Sequence, residues 1–209
     1  MKMKRLAVST LAASVLSMGA MVSTAQAEME VSAEVGVASM YLWRGLDLGG
    51  GAAVSGDLSV SASGFYAGLW TSSGDAGMGT EYDVYLGYAT EFGDFGIDVG
   101  YATYAYPESD VALGDVAEAI VGLSYGPASL TYFHGLADIE DYWYANLAVD
   151  VGSFTLAYGL HEDDLAHVDV TYGYNDNVSF TLSKVVDNVS DTYNDEMKFM
   201  VSASLPIKF

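Results

Sequence analysis

Three histidines are the residues of this 209-residue chain that are best suited to metal or acid–base chemistry. His161 and His167 bracket an acidic stretch, Glu-Asp-Asp-Leu-Ala, and imidazoles beside carboxylates can bind divalent ions. Their spacing differs from the His-Glu-x-x-His pattern of zinc hydrolases. We interpret the segment as a solvated, external acidic loop, with weak binding of a divalent cation as the alternative. No metal site and no cofactor is predicted.

The third histidine, His134, has the neighbours of a general base but lacks a nucleophile. Asp138 or Asp141 can orient its ring, and covalent catalysis then needs a hydroxyl group beside it. Ser124 is near in sequence but lies at the opposite end of the adjacent predicted strand, and the external serines belong to other loops. The sequence therefore predicts a protein that is not an enzyme and has no catalytic residues.

The elements that position these residues alternate in polarity with a period of two, which is the period of a β-strand. Residues 198–209 show the pattern clearly, because every second side chain is apolar and the last of them is Phe209. A strand of this kind at the end of a chain is typical of the closing strand of a bacterial outer-membrane barrel, through which we expect the barrel-assembly machinery to recognise the chain. An ordinary edge strand of a soluble sheet is the alternative.

The same alternation predicts an all-β fold, a transmembrane antiparallel up-and-down barrel of about twelve strands. Tight turns of two or three residues alternate with longer polar loops along the chain, as short periplasmic turns and long external loops do in bacterial barrels. Lys184 falls on the lipid-facing side of its strand, toward the external end, where it can reach lipopolysaccharide phosphates. The predicted strands are about 30–44, 52–61, 64–72, 80–92, 95–106, 116–125, 128–134, 141–151, 154–161, 167–175, 178–187 and 196–209.

Composition agrees with a membrane barrel. Residues 1–27 have a basic start, an apolar middle and an Ala-Gln-Ala cleavage site, so we predict a secretory signal peptide followed by one barrel domain, 28–209. All 28 acidic residues lie in the second part with only four of the seven basic ones, which gives it a net charge of −24 and argues against nucleic acid as a partner. The expected partners are outer-membrane lipid, lipopolysaccharide and small solutes or cations. Nothing in the sequence indicates an oligomeric state.

Assigning the apolar parity to lipid places charged side chains in the lumen. About twelve strands at ~4.8 Å spacing and ~40° tilt enclose a backbone radius of about 12 Å, enough for a narrow aqueous path. Because carboxylates lining a pore favour cations, we predict a narrow, cation-preferring channel for ions or small hydrophilic solutes. The alternative is a non-conducting structural or surface-recognition barrel, in which Arg44 and nearby carboxylates form an ion pair that plugs the lumen. The predicted lumen residues are Arg44, Asp57, Asp83, Asp98, Glu118, Asp150 and Asp169.

Two short motifs near the start of the barrel resemble those of the TorF family of porins. The first is Ser-x-Tyr-x-x-Arg-Gly and the second is Ser-Gly-Phe-Tyr-x-Gly-x-Trp. The family usually has a Ser-rich stretch after Arg-Gly, whereas this chain has Leu-Asp-Leu-Gly-Gly-Gly there. The resemblance implies an outer-membrane barrel with a pore and names no substrate. Its residues in this chain are Ser39, Tyr41, Arg44 and Gly45, then Ser63, Gly64, Phe65, Tyr66, Gly68 and Trp70.

Overall fold

The computed structural model describes residues 29–188 and 193–208. The expected signal peptide, residues 1–27, and the terminal Phe209 lie outside this part of the chain. Within it, no helix has the length and apolar composition that crossing a membrane requires.

Twelve strands form one closed antiparallel barrel, which confirms the predicted fold. Each wall strand pairs with its neighbours in sequence, and the first wall strand, 30–38, closes the barrel by pairing with both the last, 198–207, and the second, 53–62. Two short strands, 42–43 and 46–47, form a separate hairpin, and one 3-10 turn spans Pro107–Ser109. The strands are β1 Glu30–Ala38, β2 Leu42–Trp43, β3 Leu46–Asp47, β4 Ala53–Ala62, β5 Phe65–Asp75, β6 Gly79–Phe92, β7 Phe95–Tyr106, β8 Val111–Tyr125, β9 Ala128–Ala137, β10 Trp143–Val151, β11 Phe154–His161, β12 Ala166–Gly173, β13 Val178–Asp187 and β14 Lys198–Ile207.

Alternating polarity gives the wall an apolar outside and a packed, more polar inside. On β13, Leu182 is 43% exposed, whereas its neighbours Thr181 and Ser183 are 2% and 1% exposed. Lys184 faces outward, as its parity predicts. The pairing of β12 with β13 has one register irregularity, between Ala166 and His167, and it does not change the parity of Lys184. Large exposed hydrophobic side chains occur on the outer face of every barrel strand. The outside of the barrel therefore presents a continuous apolar surface.

The predicted alternation of short and long connections holds only in part. Short turns join β4 to β5, β6 to β7, β8 to β9 and β10 to β11, and residues 174–177 join β12 to β13 at the same end, which we call the short-turn end of the barrel. The other connections lie at the opposite, long-loop end; residues 39–52 join β1 to β4, but only residues 76–78 separate β5 from β6, fewer than join β12 to β13. Both chain termini of the barrel, at Glu30 and Ile207, lie at the short-turn end because the strand number is even.

The first predicted strand, 30–44, is wrong beyond Ala38. The chain leaves the wall there and forms the β2–β3 hairpin, because Arg44 and Gly45 adopt left-handed backbone conformations with φ of 46° and 83°. Tyr41 and Trp43 therefore belong to this hairpin rather than to the end of a wall strand. The fifth connection also differs from its prediction, since β8 begins at Val111 and includes a local irregularity before Val116.

Candidate functional site

The β2–β3 hairpin carries Arg44 into the barrel interior, where its guanidinium meets a carboxylate. Nη1 and Nη2 of Arg44 donate to Oε1 and Oε2 of Glu118, each at 2.7 Å, in a bidentate ion pair. Tyr104 donates a further hydrogen bond to Oε2 of Glu118 at 2.5 Å. Both charged side chains are at most 6% exposed. Because a buried charge is costly when it is alone, each of these two groups depends on the other for its place in the interior.

Aromatic rings enclose the faces of the Arg44 guanidinium. The positive charge lies over ring faces at distances typical of cation–π contacts, which are worth about 2 kcal/mol when desolvated. The rings come from the hairpin itself and from β9, β10 and the segment before β10. The distances from Arg44 Cζ to the ring centroids are 4.3 Å for Phe133, 4.7 Å for Trp43, 4.7 Å for Tyr144 and 5.5 Å for Tyr142.

A closed circuit of hydrogen bonds fixes the backbone of the hairpin tip. Nη1 of Arg44 donates to the Tyr142 hydroxyl at 3.0 Å, and this hydroxyl lies 3.1 Å from Nδ1 of His161. Nε2 of His161 lies 3.0 Å from the carbonyl oxygen of Arg44. A carbonyl only accepts, so Nε2 carries the hydrogen and Nδ1 accepts from Tyr142. The circuit begins and ends on Arg44 and positions both its side chain and its backbone.

His167 determines how closely the hairpin can approach the wall. A Cβ on Gly45 would lie 2.4 Å from Cγ of His167, so only glycine fits, and its φ of 83° also favours glycine. The ring of His167 is fixed in turn by the Tyr144 hydroxyl, 2.9 Å from Nε2, and by Asp169, whose Oδ1 is 3.2 Å from Nδ1. We call the hairpin tip 43–45, with the groups that hold it, the Arg44 plug; those groups are Tyr104, Glu118, Phe133, Tyr142, Tyr144, His161 and His167.

Of the predicted lumen residues, the structure brings Arg44 and Glu118 into direct contact. Asp83 is 2% exposed, lies near this pair and has no hydrogen-bond partner on either carboxylate oxygen. Glu81, which the sequence analysis did not single out, accepts a hydrogen bond from the Tyr41 hydroxyl close to Asp83. These three acids surround one end of the plug.

The remaining predicted acids lie closer to the short-turn end and are partly or fully exposed to solvent. Tyr85 donates to Asp57 and Tyr66 donates to Asp98, both at 2.7 Å, so these two carboxylates are partnered without being neutralised. The acids are thus spread over the inner wall on this side of the plug. We call this region the acidic vestibule, lined by Glu34, Asp57, Asp98, Asp150 and Asp169.

The interpretation of residues 161–167 as an external, solvated loop holds only for its centre. Residues 162–164 are exposed, but His161 and His167 are 3% and 1% exposed and face the interior, because they are inward-facing residues of β11 and β12. Their shared inward parity was the signal that the loop interpretation overlooked. His134 faces outward and stacks against Tyr132 with ring centroids 6.3 Å apart. Among the described residues, no group of three or more histidines and acids has a geometry that could hold a metal ion.

The two sequence motifs have structural roles around the plug. Ser39 joins the barrel seam, where its hydroxyl accepts from the Val201 N–H at 3.0 Å. In the second motif, Gly68 makes room for the Tyr85 ring, since a Cβ there would lie 2.3 Å from the Tyr85 hydroxyl oxygen. The other members of the second motif lie in the turn before β5, on its outer face and on its inner face; they are Ser63, Gly64, Phe65, Tyr66 and Trp70.

A family model described as "Bacterial protein of unknown function (Gcw_chp)" matches residues 22–195, and the chain belongs to this family. The resemblance to the TorF family stays a prediction. No curated protein matches the chain in sequence.

Two solved structures are similar to the barrel in architecture. One is the KdgM porin in complex with disordered oligogalacturonate, with a TM-score of 0.45 and 11% identity over 86% of this chain and 99% of that one. The other is the outer membrane phospholipase A from Escherichia coli, with a TM-score of 0.41 and 10% identity over 86% of this chain and 98% of that one.

Replacing Glu118 by Gln should destabilise the barrel by about 3–5 kcal/mol, because the substitution leaves the Arg44 charge buried and unpaired. The double variant Arg44→Met/Glu118→Leu, which removes both charges, should lose less than Glu118→Gln alone. Urea unfolding of the three proteins in the same detergent measures the difference. A double variant that loses as much stability as Glu118→Gln, or more, would contradict a coupled buried pair.

Gly45→Ala should cost more than the roughly 1–2 kcal/mol of a left-handed alanine, because its Cβ also collides with His167. Gly49→Ala is the matched control: its φ is 78°, but its Cβ would meet only Ala76, at 3.6 Å. Both variants are compared by thermal unfolding. Equal losses at the two sites would mean that the contact with His167 does not fix the hairpin.

Proposed function

We propose that this protein is an integral barrel of the bacterial outer membrane that passes ions or small hydrophilic solutes through a narrow, cation-preferring lumen. In the described conformation the Arg44 plug closes the lumen on the long-loop side. The observation that carries this proposal is the inner wall itself, where an acidic, partly solvated vestibule ends at a single ion-paired hairpin.

The outer surface supports the membrane location. Leu147 and Leu156, on adjacent strands, are 49% and 47% exposed in the chain by itself, and similar apolar side chains surround the barrel. Lipid contact turns this exposed area from a cost into a stabilising interface. The long loops then face outward from the cell and the short turns face the periplasm, after export directed by residues 1–27. Lys184 faces outward and is placed to contact lipopolysaccharide phosphates.

The distribution of charge supports cation preference. Glu118 neutralises Arg44 within the plug, so Arg44 adds no net positive charge to the lumen. Within residues 29–188 and 193–208, the basic group found within 4.0 Å of a vestibule acid is His167, 3.2 Å from Asp169, and Lys198 interacts with Asp169 at longer range. A path bounded by such carboxylates attracts cations and repels anions.

The second candidate is a non-conducting barrel with a structural or recognition role. The observation in its favour is the packing of Arg44 among four rings, which makes the plug part of a continuous interior core with Phe133 and Tyr144. The two functions differ in one respect, namely whether removing the plug interactions opens a path.

Planar-bilayer recording with a salt gradient tests the proposal. The refolded Arg44→Ala/Glu118→Ala variant should conduct several-fold more than the wild type, because the hairpin loses the ion pair that holds it in the lumen. Its reversal potential should favour cations. Adding Asp57→Asn and Asp98→Asn should reduce that preference, while Lys184→Gln, on the outer face, should leave it unchanged.

The contradicting outcomes are distinct. A folded Arg44→Ala/Glu118→Ala variant that does not conduct would favour the structural or recognition barrel. Preference for anions would contradict the role assigned to the vestibule acids.

The membrane location makes a separate prediction about the outer face. Leu147→Arg, near the middle of a strand, should destabilise the barrel in lipid vesicles by about 2–4 kcal/mol. Val186→Arg, near the long-loop end of β13, should cost only about 0–1 kcal/mol. The free energies of unfolding of the two variants from vesicles, measured with denaturant, test this difference in cost. Equal costs at both depths would argue against a bilayer around this surface.

A further inference from the structure

Asp83 is an anomaly within the barrel interior. In residues 29–188 and 193–208, both of its carboxylate oxygens are buried and neither has a hydrogen-bond partner. The side chain is 2% exposed and points inward from β6. An ionised carboxylate in such a place loses its hydration without compensation, which is strongly unfavourable. Asp83 therefore requires a positive charge or a proton.

The neighbouring acids have donors, and Asp83 does not. Glu118 accepts two hydrogen bonds from Arg44 and one from Tyr104. Glu81 accepts one from Tyr41. Both Glu118 and Glu81 therefore have donors that satisfy their buried carboxylate oxygens, whereas Asp83 has none.

Charged and hydroxyl groups from several strands and from the plug surround Asp83. Glu81 on the same strand and Glu118 on β8 both act on Asp83, and Arg44 on the plug pairs with Glu118 and interacts with Glu81. Tyr104 and Tyr106 on β7, and Tyr41 before β2, add hydroxyl groups. The three carboxylates thus lie together while the one guanidinium is paired with Glu118, and no described group of acids and histidines is arranged to hold a metal ion. A proton is the ligand that a buried, unpartnered carboxyl can take up without a further group beside it.

We infer that Asp83 is a proton-binding site and that the bound proton keeps the Arg44 plug closed. The neutral carboxyl adds no third negative charge to the cluster, so Arg44 can pair with Glu118 alone. When the proton is released, the Asp83 carboxylate is repelled by Glu81 and Glu118 and competes for Arg44. Raising the pH therefore weakens the plug, and lowering it restores closure.

Infrared spectroscopy of the folded barrel tests the proton directly, without any assumption about conductance. At neutral pH the wild type should show the carbonyl stretch of a protonated carboxyl group. Asp83→Asn should remove this band, and Asp150→Asn, at an exposed acid, should leave it. Asp83→Ser is the second neutral variant if Asp83→Asn does not assemble. Identical bands in the wild type and a folded Asp83 variant would overturn the inference.

The consequence for the plug rests on the proposed function and is measured by conductance against pH. The wild-type open probability should rise as the pH is raised, that of Asp83→Asn should stay low, and that of Arg44→Ala/Glu118→Ala should be high throughout. If the double variant conducts while the wild type shows no pH dependence, the inference fails and the channel stands. If no folded variant conducts, the channel fails, and the infrared band still decides whether Asp83 holds a proton.

Discussion

The desolvated pair of Arg44 and Glu118 is the interaction on which the interior of this barrel depends. An arginine without a partner would be expelled toward water, and a lone Glu118 would repel the other acids near it. Their bidentate contact allows a chain segment to occupy part of the barrel interior. The rings around the guanidinium follow from this, because aromatic faces are among the few surfaces that tolerate a dehydrated cation.

The pair also explains the unusual backbone of the hairpin. Arg44 has a positive φ, which a residue with a long side chain adopts at a cost of about 1–2 kcal/mol. The circuit through Tyr142 and His161 returns to the Arg44 carbonyl and holds that conformation. The Arg-Gly dipeptide is thus a structural unit, in which one residue supplies the charge and the next allows the close approach to His167.

Much of the wall was predictable from the sequence, and much of the plug was not. Strict alternation, as in residues 143–151, shows which face of a strand lies against an apolar environment. This signal was sufficient to predict all twelve wall strands. Residues 39–44 continue the same alternation, so the departure from the wall at Ala38 leaves no trace in the pattern. It depends on contacts with Glu118 and His161, which are 74 and 117 residues away. Parity also placed Asp83 on the inner face, but whether it has a partner depends on side chains from distant strands, so the lack of one could not be predicted.

The pairing of β1 with β4 has a consequence for how this lumen can vary. The ladder runs without interruption from Glu30 opposite Ser61 to Ala38 opposite Ala53. Residues 39–52, which include the hairpin, therefore connect two strand ends, Ala38 and Ala53, that are already adjacent in the wall. The barrel does not need the hairpin to close. Mutation can change the length or the charge of the hairpin while the ladder between β1 and β4 is kept, so this part of the wall does not depend on what fills the barrel interior.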